Sequence, residues 1–117
     1  MSTPEFRRAR RRRAIDRIAV IDAMTDIAIG QLGNLSESGM LLIASMPLRE
    51  DALYQMRFRL PHPGGGDVQV ECGAQVLWLD DASASGQLWA GVRFILLPKA
   101  ALEALNAWVE APGGSYE

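Results

Sequence analysis

Arginine is the residue type whose number and spacing most clearly indicate chemistry in this 117-residue sequence. Seven arginines fall within the first 17 positions, at Arg7, Arg8, Arg10, Arg11, Arg12, Arg13 and Arg17. An arginine side chain can fork onto phosphate oxygens or a guanine edge, and it can also stack on rings. Residues 1–17 carry a net charge of +5, whereas the other hundred residues carry −7. A basic arm on an acidic body indicates an anionic partner, and charge alone leaves a solvated tail and general nucleic-acid binding open.

A second polar group lies 17 positions after Arg17, where the sequence reads N-x-S-x-x-G from Asn34 through Ser36 to Gly39. The composition of residues 34–39 predicts a turn. On such a turn, the amide and hydroxyl can hydrogen-bond a base edge or a phosphate, or an Asx turn can merely shape the loop. Gly39 offers no side chain at a point where the backbone must turn or approach a neighbour closely.

Two reactive residue types are scarce, which excludes several classes of function. Cys72 is the single cysteine and His62 the single histidine, so we expect no internal disulfide and no zinc site. No nucleophile–base pair is visible, and we expect a binding protein without catalysis. No apolar run approaches the roughly 20 residues that span a bilayer, and no secretory signal follows the basic start. We therefore expect a cytoplasmic protein.

The hydropathy pattern predicts the elements that must position these residues. Period-two alternation marks short strands, most clearly over residues 54–60, and turn residues separate the strands at regular intervals. After Pro98 the period changes to about 3.6, which predicts a helix that ends before Pro112. One face of this helix is expected to carry Leu102, Leu105, Trp108 and Val109. These elements favour a mainly β fold, a small antiparallel barrel or sandwich with a C-terminal helix.

The order of the motifs resembles the PilZ domain family, whose signature is RxxxR followed by (D/N)xSxxG on a small β-barrel. Residues 12–17 read R-R-x-x-x-R, and the motif that starts at Asn34 follows. Residues 76–80 are similar to the family's V-x-W-x-D strand, and residues 90–94 are similar to its G-V-x-F strand. Three RxxxR pairs fit the arginine run, and we choose Arg13/Arg17 because an apolar strand follows that pair at once.

This resemblance implies a receptor for cyclic di-GMP. The implied ligand contacts are Arg12, Arg13, Arg17, Asn34, Ser36 and Gly39, with Arg8, Arg11 and Trp78 as further candidates. An arginine immediately before RxxxR, here Arg12, resembles the family members that bind two mutually stacked cyclic di-GMP molecules per chain. Asp16 departs from the proline that is frequent before the second arginine, and its carboxylate is expected to weaken phosphate binding modestly.

The resemblance also sets the expected domain boundaries: a flexible arm over 1–12, a PilZ barrel with its helix over 13–110, and a flexible tail over 111–117. The receptor would order its arm over the nucleotide and signal through an unknown downstream protein. Two alternatives stay open. One is a small barrel that binds RNA or DNA through the arm, which the acidic body disfavours. The other is a PilZ adaptor that no longer binds a ligand, which the intact motifs disfavour.

Overall fold

The computed structural model describes residues 10–81 and 86–117. These residues form a mainly β domain that ends in a helix. The elements are β1 (Arg12–Arg13), β2 (Ala19–Asp22), β3 (Ile27–Ser36), β4 (Gly39–Ala44), β5 (Leu53–Pro61), β6 (Asp67–Asp81), β7 (Leu88–Leu96) and α1 (Lys99–Glu110). Among the described residues, no helix is long and apolar enough to cross a membrane.

Strands β2 to β7 form a closed antiparallel barrel. The strands follow one another in the order β3-β2-β5-β6-β7-β4, and β4 pairs with β3 to complete the circle. Strand β1 pairs with β3 outside this circle. The predicted antiparallel barrel with a C-terminal helix is therefore confirmed, and Arg12 and Arg13 of β1 lie against the barrel wall.

The core follows the alternation that the sequence predicts. In β5, Met56, Phe58 and Leu60 are buried, while Tyr54 at the start of the strand is only partly buried. Burying a large apolar side chain of this kind contributes roughly 1.5–3 kcal/mol. Cys72 of β6 belongs to the same core. Burial, and to a smaller extent the charge of Glu71, raises the pKa of its thiol to about 12, so the thiol stays protonated and unreactive near neutral pH.

Helix α1 packs against the barrel through β6, β3 and β5. Its buried side chains are Ala101, Leu105, Trp108 and Val109, which recur at the spacing of one helical face. Leu102 was expected on this face but is only partly buried, because the buried residues define a face on which Leu102 lies at the edge. The helix ends at Glu110, two residues before Pro112.

The segment over residues 34–39 is mostly strand, which corrects the predicted turn. Strand β3 continues to Ser36 and β4 starts at Gly39, so only Glu37 and Ser38 form the turn. The reason is the ladder itself, in which Leu35 pairs with Met40 and Ser36 with Gly39. A two-residue hairpin therefore suffices, and the motif's polar residues lie on a rigid strand.

Residues 10–13, where the predicted arm ends, lie beside the predicted tail on the barrel; residues 1–9 of the arm lie outside the described residues. The amide of Arg13 donates to the carbonyl of Ser115 at 2.8 Å, and the amide of Glu117 donates to the carbonyl of Arg11 at 3.0 Å. Strand β1 thus runs between β3 and residues 115–117. The predicted flexibility of both segments stays a prediction.

Candidate functional site

A row of cross-strand partners joins the two sequence motifs across the outer surface of the barrel. Arg13 pairs with Asn34, Asn34 with Leu41, Leu41 with Gly91, and Gly91 with Trp78. Directly paired residues of antiparallel strands point to the same face of a sheet. The next row, which contains Leu35, points into the core. The arm, the Asn34 motif and the Trp78 strand therefore meet on one surface.

This surface contains a groove of about 380 Å³. Its lining combines a guanidinium, an amide and two indoles with an apolar floor, from Arg11, Asn34, Met40, Leu41, Leu77, Trp78, Trp89, Gly91 and Val92. The side chains of Trp78 and Trp89 stay 44% and 42% exposed, so both indoles are accessible for stacking. A Cβ atom at Gly91 would overlap the Trp78 indole. The indole therefore packs directly on the backbone of Gly91, and only glycine leaves room for it there.

Asn34 is the polar anchor of the groove. It is 5% exposed, and its Oδ1 accepts a hydrogen bond of 2.7 Å from Arg11 Nη1. The side-chain amide nitrogen of Asn34, Nδ2, forms no hydrogen bond with another residue in the described part of the chain. Buried amide donors usually have a hydrogen-bond partner. The Asn34 amide can therefore donate to an oxygen or ring nitrogen of a ligand in the groove.

Ser36 and Gly39 shape the hairpin beside the groove. Ser36 is fully buried, and its Oγ lies 2.9 Å from Ser38 Oγ and accepts the Ser38 amide at 3.2 Å. A Cβ atom at Gly39 would overlap the carbonyl of Val92, so glycine permits the close approach of β4 to β7. The structure gives both residues a role in the turn, and their contact with a ligand stays a prediction.

The three arginines expected to bind most directly do not converge on the groove. Arg12 points to helix α1, where its Nη1 donates to the carbonyl of Trp108 at 2.6 Å. Arg13 Nε donates to Glu117 at 3.0 Å. Arg17 lines a separate cleft of about 430 Å³ between β2 and β5, which Asp16 also lines. Arg8 lies outside the described residues.

Sequence reasoning ranked Arg11 below its neighbours and missed Trp89. Arg11 reaches Asn34 because the strand pairing places it beside that residue. Trp89 enters the groove because it lies two residues before Gly91 on β7 and therefore shares its face; no motif marked this residue. The acidic and aromatic partners of the arm, Glu117 and Tyr116, were also missed, and their position after the helix gave no signal of this contact.

Comparison with known proteins is consistent with this geometry. No curated protein matches the sequence. The structure is similar to the inhibitor of motility MotI/DgrA of Bacillus subtilis, with a TM-score of 0.72 and 16% sequence identity. The similarity covers 88% of this chain and 49% of that one, so this chain spans about half of the matched chain. The family model of the PilZ domain, a family of binding modules that includes cyclic di-GMP receptors, matches residues 6–111. Since this match covers most of the sequence, the chain belongs to the PilZ domain family.

Proposed function

We propose that this protein is a cyclic di-GMP receptor whose primary site is the groove between the arm and Trp78. The observation that carries the proposal is the convergence of Arg11, Asn34 and an exposed Trp78 on one groove. Cyclic di-GMP has two phosphates and two guanines. An arginine fork suits phosphate or the guanine O6/N7 edge, an amide suits a base edge, and an indole suits a base face.

Among the remaining motif arginines, Arg13 would join the ligand by giving up its present partner. Arg13 stands in the same row as Asn34. Its present partner, Glu117, forms an ion pair in which the two side chains are 57% and 42% exposed. Such a pair is worth about 0–1 kcal/mol, less than the roughly 1.5–3 kcal/mol of a hydrogen bond to a charged group. A phosphate near β1 would therefore compete with the carboxylate for Arg13 at little cost to the stability of the fold.

Two stacked ligands would need additional cations. A second cyclic di-GMP molecule brings four phosphates close together, and their repulsion favours sites with several arginines. Arg12 and Arg8 would supply this charge, with Arg17 at the far end of the motif. We propose two ligands per chain on this basis.

The receptor would act by binding alone, in the cytoplasm, and would signal through a downstream protein. The acidic body disfavours a continuous nucleic-acid track, because residues 18–117 carry a net charge of −7. No catalytic step is needed for this role, and no membrane contact enters the proposal.

Calorimetric titration tests the proposal. We expect cyclic di-GMP to release heat on binding to the wild-type protein, and GMP at the same concentration to bind far more weakly. Trp78→Ala is expected to cost about one to two decades in affinity, since stacking of one base on an aromatic side chain is worth about 1–3 kcal/mol. Leu53→Ala is the control, because this exposed apolar side chain of β5 does not line the groove. Absence of binding, or equal losses in both variants, would reject the groove.

A further inference from the structure

The C-terminal end of helix α1 takes its stabilising cation from the arm. The last turn of α1 contains no basic residue. Arg12 supplies one, because its Nη1 donates to the carbonyls of Trp108 at 2.6 Å and Ala111 at 3.5 Å. Its guanidinium also lies over the Trp108 ring, 4.6 Å from the centroid. The last carbonyls of a helix lack intrahelical donors and attract positive charge, so Arg12 caps α1 from a distant part of the sequence.

The residues after the helix hold the same arm from its other side. Tyr116 donates its hydroxyl to the carbonyl of Val109 at 2.6 Å. Its ring lies 4.0 Å from the guanidinium of Arg10, which also pairs with Glu110 at 2.5 Å. Residues 110–117 therefore form one small cluster with residues 10–13. In this cluster, arginines contact an aromatic ring or a carboxylate.

Strand geometry prevents Arg12 from serving the helix and the groove together. Arg12 pairs with the core-facing Leu35, whereas Arg13 pairs with the groove-facing Asn34. Successive side chains of a strand point to opposite faces. For Arg12 to reach a ligand on the groove face, β1 must leave β3 near Arg12, and this movement withdraws the guanidinium from Trp108. A slip by one residue would instead turn Arg11 and Arg13 away from Asn34.

We infer that Arg12 is a switch residue that caps helix α1 in the free protein and is withdrawn from it by the ligand, which releases the end of the helix and residues 112–117. The ligand half of this inference rests on the proposed function; the capping half does not. Because such a coupling is reciprocal, the cluster lowers ligand affinity by the same factor by which the ligand weakens the cluster. A change that weakens the cluster without touching the groove must therefore raise ligand affinity, by up to that factor.

Hydrogen exchange of the unliganded protein tests the capping half. We expect Arg12→Leu to accelerate amide exchange of residues 109–117 by about tenfold, the loss expected for a charged hydrogen bond at a helix end. Exchange of residues 53–61 in β5 should not change. Arg49→Leu is the control, an exposed arginine remote from α1. If β5 exchange also accelerates, the Arg12→Leu change has destabilised the whole domain. The experiment is then repeated with Arg12→Lys, which keeps the positive charge and loses the forked pair of donors. Unchanged exchange at 109–117 overturns the inference.

Adding cyclic di-GMP tests the switch. The wild-type protein should then exchange residues 109–117 as fast as the unliganded Arg12→Leu variant, and Tyr116→Phe should bind the ligand several-fold more tightly than wild type. Calorimetry on the same samples separates the two ideas. Failure to bind rejects the proposed function, whereas binding without faster exchange at 109–117 rejects the switch and leaves the receptor intact.

Discussion

Replacing Arg13 or Arg17 with alanine tests the motif register, because both variants are expected to fold normally. Arg17 is exposed and forms no hydrogen bond or ion pair with the other described residues. Arg13 loses one exposed ion pair with Glu117, worth about 0–1 kcal/mol. Each arginine that contacts a phosphate or guanine contributes about 1.5–3 kcal/mol to binding, so each variant should lose about one to two decades in cyclic di-GMP affinity.

Calorimetric titration measures the affinity, and urea unfolding measures the stability of the same samples. Arg49→Ala is the matched control, since it removes one exposed arginine from the acidic body and leaves the motif intact. Affinity at the wild-type level in both motif variants would refute the Arg13/Arg17 register. A loss confined to Arg11→Ala would show that the arginine already in contact with Asn34 carries the recognition.

Four further outcomes follow from the same contacts. Ser36→Ala should lower the free energy of unfolding by about 0.5–1.5 kcal/mol in urea titrations, because the buried hydroxyl holds the turn, and should weaken the ligand less than either arginine change; an affinity loss as large as theirs would contradict this. Gly91→Ala should displace the Trp78 indole and shift its fluorescence, at a cost of about 1–3 kcal/mol; an unchanged spectrum would count against the packing. Fluorescence anisotropy should detect no micromolar binding to random RNA at physiological salt, where screening acts beyond about 8 Å. Titration should end at two cyclic di-GMP molecules per chain in wild type and at one in Arg12→Leu; one per wild-type chain would overturn the stacked pair.

Local patterns were sufficient for the elements of this fold but not for their arrangement. The alternation in β5 and the helical period after Pro98 depend on neighbouring residues, and both predictions are confirmed. Closure of the barrel depends on the pairing of β3 with both β2 and β4. Such pairings join residues that are distant in sequence, and their register follows from packing of the whole core. The resemblance to the PilZ family, and not the periodicity, supplied the closed barrel.

The candidate site divides in the same way. Asn34 and Trp78 were identified from motifs, and the structure brings both to one groove. The functional order of the arginines was not predictable, because seven similar side chains in 17 positions offer several equivalent registers. Strand pairing breaks this equivalence, since only Arg11 lies within hydrogen-bonding distance of Asn34 among the described residues of the arm.

The alternation of a β-strand divides the arginine run into two sets with different partners. Arg10 and Arg12 face helix α1 and Tyr116, whereas Arg11 and Arg13 lie beside Asn34. Arginines that are equivalent in the sequence therefore point to two opposite faces of β1 in the structure. Because a slip of one residue would turn Arg11 and Arg13 away from Asn34, Arg12 can join the ligand only if β1 detaches locally from β3, a movement that leaves the closed barrel intact. The short ladder of β1, two residues long, keeps the cost of this movement low compared with that of breaking any strand of the closed barrel.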